Sequence, residues 1–168
     1  MKLLSAMLLT LLTFNLQAET MTFPEPGPKD TCPVCGMFVK MYPEWIALVR
    51  YKEGDTHFFD GAKDMFKYLH DMKKWAPGHK REDISAIAVT DYYSVARIKA
   101  RDAWYVIGSD VLGPMGHELV PLSSKADAEE FLRDHKGSAI IRFDQVTDKL
   151  LKNLEKGVFT GFKDHPAR

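Results

Sequence analysis

The sequence predicts an α+β fold, a compact domain built from tandem β-β-α-β repeats. Three observations predict it. Short β-rich runs alternate with segments whose apolar residues recur at helical spacing. The order strand, strand, helix, strand occurs twice along the chain. The pattern S-A-I-x-x-x-D then recurs at the same place in both series, at residues 85–91 and 138–144.

The elements follow in order. After Pro43, W-I-A-L-V-R-Y at 45–51 is β-rich, a turn with Gly54 follows, and T-H-F-F at 56–59 returns as the second strand of a hairpin. From 61 to 75, Met65, Phe66, Leu69 and Met72 form one apolar stripe, so an amphipathic helix with core methionines is expected until Pro77-Gly78. Residues 84–89 make a compact strand, and Val95, Ile98 and 104–107 supply two more. In the second series, strands at 103–109 and 118–122 flank a glycine-rich loop. A helix over 125–135 is capped by Ser123 or Ser124 and stopped by Gly137. A strand at 138–143 and a closing helix at 146–156 complete the chain.

Composition bounds the function. The 168 residues are 45% hydrophobic and 27% charged, with 23 basic against 23 acidic side chains. That is a folded chain with no basic surplus to neutralise a phosphate backbone, so nucleic acid is excluded as a partner. No G-x-x-x-x-G-K-[ST] or G-x-G-x-x-G run supports nucleotide binding. Residues 1–18 read as a signal peptide: Lys2, an apolar stretch at 3–12, and a cut after Ala18. Export to a periplasm follows, and no cysteine stands at the cut to carry a lipid. No membrane anchor is evident. Residues 19–30, with three prolines, form an extended arm. Residues 31–157 form the α+β domain, in halves of about 31–91 and 92–157, and 158–168 are a tail.

The only two cysteines, Cys32 and Cys35, share one C-x-x-C. A bridge across so short a loop staples nothing beyond its own turn, so the pair is chemical: a redox dithiol or two soft ligands. Met37 adds a thioether, and thiolate with thioether selects Cu(I) over harder ions. A second constellation, G-S-D-V-L-G-P-M-G-H at 108–117, holds Met115 between Pro114 and Gly116. A methionine in such a loop is a ligand or the cover of an apolar patch. His117 adds an imidazole that suits copper or zinc. His57, alternating with Phe58 on a strand, reads as a rim residue.

C-P-V-C-G-M with G-S-x-x-x-G-P-M-G-x-E-L-V-P about 80 residues later resembles the NosL family, accessory proteins of nitrous oxide reductase assembly. The similarity runs over residues 31–144 and includes F-F-D-G-A-K-D-M-F-K-Y-L. It implies a Cu(I) metallochaperone outside the cytoplasmic membrane, with an organomercury-lyase-like fold. It also implies an exported cuproprotein as acceptor, nitrous oxide reductase first, together with its copper-loading machinery. Cys32, Cys35, Met37 and Met115 fall on family motif positions; His117 lies beside the second motif. Family members are commonly lipoproteins, and this chain lacks the cysteine for it. Two other readings stay open: a thiol–disulfide oxidoreductase, and a Zn(II) site on Cys32, Cys35 and His117.

Overall fold

The computed structural model describes residues 22–159; the expected leader and most of the expected tail lie outside them. The arm has neither helix nor strand from Thr22 to Pro26, and a turn closes where Asp30 N–H donates to Gly27 O. Strands β1 (Ala47–Tyr51) and β2 (Thr56–Phe59) form the expected hairpin, paired Ala47↔Phe59 through Arg50↔Thr56. Helix α1 (Ala62–His70) and a single turn, α2 (Met72–Trp75), lead to β3 (Ile84–Thr90) and the short β4 (Arg97–Lys99). The first sheet is antiparallel, in the order β2-β1-β3-β4.

In the second half, β5 (Trp104–Ile107) lies between β8 (Val120–Leu122) and β9 (Ala139–Arg142). Two residues per strand make a small hairpin, β6 (Leu112–Gly113) and β7 (Gly116–His117), inside the glycine-rich loop. Helix α3 (Lys125–Asp134) starts at Ser124, whose side chain accepts from Asp127 N–H, and α4 (Asp148–Glu155) starts at Thr147 in the same way. The α+β class is therefore as expected.

Helix α1 joins the two larger sheets through the core. Phe66 meets Tyr105 of β5 edge to face at 5.4 Å and Phe143 at 4.9 Å, while Leu150, Leu151 and Leu154 of α4 are buried in the same cluster. Phe131 of α3 anchors a second cluster with Val106, Val120 and Leu122.

Three local expectations are corrected. The helix over 61–75 is two pieces, because Asp71 ends α1 and its carboxylate accepts from Lys74 N–H to restart the chain; Met72 is then only half-buried, unlike Met65. Val95 is no strand residue: it is exposed in a turn at φ +57°, its N–H donating to Asp91 O. After α3 the left-handed residue is Lys136 (φ +53°), and Gly137 serves close packing, since a Cβ there would lie 2.6 Å from Val106 Cγ1. His57, read as a rim residue, is half-buried, with Nδ1 2.6 Å from the Tyr68 hydroxyl.

The two matched aspartates differ. Asp91 is buried and ties the end of β3 to the end of β8: Oδ1 accepts from Ser123 N–H at 2.6 Å, and Oδ2 accepts from Ser94 N–H and the Ser94 hydroxyl. Asp144 is exposed on the one-turn helix Phe143–Gln145. Asp91→Ala should therefore cost about 1–3 kcal/mol in urea unfolding, because it removes the shared acceptor of two backbone N–H groups and the Ser94 hydroxyl. Asp144→Ala should stay within about 0.5 kcal/mol; equal costs would contradict this account.

Candidate metal centre

The first motif is a narrow turn. Thr31 bridges Phe38, Cys32 N–H donates to Met37 O at 2.8 Å, and Gly36 N–H donates to Cys32 O at 2.8 Å. Gly36 takes φ +80°, a conformation that would strain any side chain with a Cβ. Both thiols are free; Cys32 is 1% exposed and Cys35 half-buried.

The turn lies against the start of α1. Cys35 Sγ donates to Asp60 Oδ1 at 3.1 Å, and Cys32 Sγ approaches Asp64 Oδ2 at 3.6 Å. Asp60 and Asp64 are both buried, where the N-terminal dipole of the helix favours negative charge. One ligand atom from each of Cys32, Cys35, Asp60 and Asp64 lies within 4.8 Å of every other, a group able to hold a metal ion. Asp64 Oδ1 also accepts from Lys67 Nζ at 3.0 Å, and Lys67 reaches Glu155 at 2.6 Å. Asp60 Oδ2 is buried with no hydrogen-bond partner, an acceptor suited to a cation.

The second motif arrives at the same helix turn. Pro114 and Met115 form the tip of the β6–β7 hairpin, and Gly116 takes φ +81°. Lys63 Nζ donates to Met115 O at 2.8 Å and His117 O at 2.7 Å, while Lys63 N–H donates to Glu118 Oε1 at 2.6 Å. Glu118 is buried and approaches so closely that a Cβ on Gly61 would lie 2.2 Å from Oε2. Met115 is 46% exposed, and Met37 is half-buried. The His117 ring is half-buried against Phe159, with a buried Nδ1 that has no partner.

The protonation states follow from burial. Desolvation first, with a smaller contribution from the hydrogen bond to Asp60, pushes the Cys35 thiol up to about 11. Cys32 is pushed higher still, mainly by burial. Burial raises Glu118 to about 7, opposed chiefly by the charge of Lys63. Both cysteines are therefore held as thiols at neutral pH, the reverse of the low-pKa dithiol that attacks disulfides.

The expected donors divide into two groups. Cys32 and Cys35 lie together with Asp60 and Asp64, and no His117 nitrogen joins that group; Met37 sits on the thiol turn, its carbonyl accepting from Cys32 N–H, and Met115 at the tip of the β6–β7 hairpin. Asp60 and Asp64 were missed in sequence, although both stand in F-F-D-G-A-K-D, because acidic residues at a helix start ordinarily read as dipole partners.

A family model for NosL matches residues 6–151. The copper-binding lipoprotein NosL of Stutzerimonas stutzeri is 26% identical over 149 residues, 81% of this chain and 72% of that protein. The crystal structure of the copper chaperone NosL from Shewanella denitrificans aligns with a TM-score of 0.65 at 26% identity, covering 76% of this chain and 97% of that one.

Thiol reactivity tests the electrostatics. At pH 7 the metal-free protein should react with iodoacetamide about a hundredfold more slowly than a free cysteine, in proportion to its thiolate fraction. Cys35 should react before Cys32, and unfolding should remove the protection. A fast-reacting first cysteine would contradict the site described.

Proposed function

We propose that this chain, which belongs to the NosL family of copper-binding chaperones, takes up Cu(I) outside the cytoplasmic membrane and passes it to an exported cuproenzyme. Nitrous oxide reductase is the favoured client. The observation that carries the reading is convergence: the dithiol turn and the methionine-bearing hairpin are both fastened to the first turn of α1.

Each residue then has a part. Cys32 and Cys35 supply thiolate donors, giving up their protons on binding. Asp60 and Asp64 place negative charge beside the incoming cation. Met115, exposed at the hairpin tip, supplies a thioether, and His117 and Met37 complete the set from its flanks. These soft donors match the monovalent ion. An exposed methionine can be exchanged for a partner's ligand without unfolding the core. Among the described residues no helix is long and apolar enough to cross a membrane.

A Zn(II) reading keeps one specific support, the pairing of two carboxylates with two thiols, a mixed donor set that zinc accepts. The oxidoreductase reading loses ground because both thiols are raised rather than lowered.

Competition against a chromogenic Cu(I) chelator should show about one tightly bound Cu(I). Cys35→Ala and Cys32→Ala should each weaken binding more than a hundredfold, and Met115→Ala about ten- to a hundredfold. Wild-type affinity in Cys35→Ala would remove the site, and preference for Zn(II) in direct competition would favour the second reading.

The pH dependence counts the thiols. Because Cys35 stays protonated until about pH 11 and Cys32 beyond it, affinity should rise with pH across the neutral range. The slope should be about tenfold per pH unit for each thiol that ligates, so about a hundredfold if both do. A flat profile between pH 6 and 8 would exclude thiolate ligation.

A further inference from the structure

Lys63 is a buried lysine, 2% exposed, one residue before Asp64. A buried ammonium is costly unless its donors are used. Here Nζ donates to the carbonyls of Met115 and His117, on either side of Gly116, and the buried Glu118 carboxylate answers its charge. The backbone N–H of the same residue donates to Glu118 Oε1, which also accepts from Leu119 N–H. The hairpin it grips has two residues per strand, too few to hold a position alone. Met115 itself has nearly half of its surface in solvent, so packing alone fixes it poorly.

We infer that Lys63 is the positioning residue of the copper site: it straps the Met115–His117 carbonyls to α1 and thereby sets where the thioether and imidazole stand relative to the thiols. It ligates nothing. The inference rests on the function proposed above, but its first test needs no copper.

In the metal-free wild-type protein, the Lys63 ammonium protons should be protected from solvent exchange in 15N spectra and show nuclear Overhauser contacts to Met115 and His117. A freely exchanging Lys63 ammonium would overturn the strap whatever the protein binds. Lys63→Met keeps the apolar stem and removes the donors. In that variant the Met115 methyl resonance should move to its random-coil position, and Cu(I) affinity should fall about ten- to a hundredfold, to the level of Met115→Ala. The double variant should bind no more weakly than the weaker single one, because both remove the same contribution. X-ray absorption should retain copper–thiolate scattering. Additive losses, or an unmoved Met115 methyl, would refute the role. Absence of Cu(I) binding by the wild type would refute the proposed function while leaving the protected ammonium to be explained.

Discussion

The constraint on which the structure depends is the packing of charge around the first turn of α1. Asp60, Lys63, Asp64 and Glu118 are all buried there, where an isolated charge would be expensive. Each is answered locally. The helix dipole and the thiol hydrogen bonds face the two aspartates, two carbonyls face the ammonium, and two backbone N–H groups face the glutamate. Gly61 is required because Glu118 occupies the space a Cβ would need. The arrangement binds three stretches distant in sequence into one place.

Burial also decides the chemistry of the cysteines. A C-x-x-C can be a redox couple or a ligand pair, and spacing alone does not separate the two. Here the thiols are desolvated and face carboxylates, which disfavours a free thiolate until a cation arrives to balance it. The same surroundings that suppress nucleophilic attack favour metal uptake coupled to proton release. The second motif is the opposite in character: its methionine is exposed, on a hairpin held by its backbone. A fixed buried half and an accessible half suit a protein that must both hold an ion and give it up.

Much of this was legible beforehand. Strands β1, β2, β3, β5, β8 and β9 fall within or beside the β-rich runs of the sequence, and α3 begins at one of the two serines named as caps. The break at Asp71 was not legible, because Met72 continues the apolar stripe and only the cap geometry divides it. Val95 was misread because a β-branched residue at positive φ defies local preference.

The sequence by itself determined the class of fold, the two sulfur-bearing motifs and the softness of their donors, since these depend on residue type and short-range period. Only the tertiary structure decided that Asp60 and Asp64 join the thiols, that Lys63 holds the hairpin, and that Asp91 rather than its matched Asp144 is the internal tie. The physical reason is that a buried polar group takes its meaning from partners brought to it by packing, 25 to 55 residues away in these cases, and no local pattern records them.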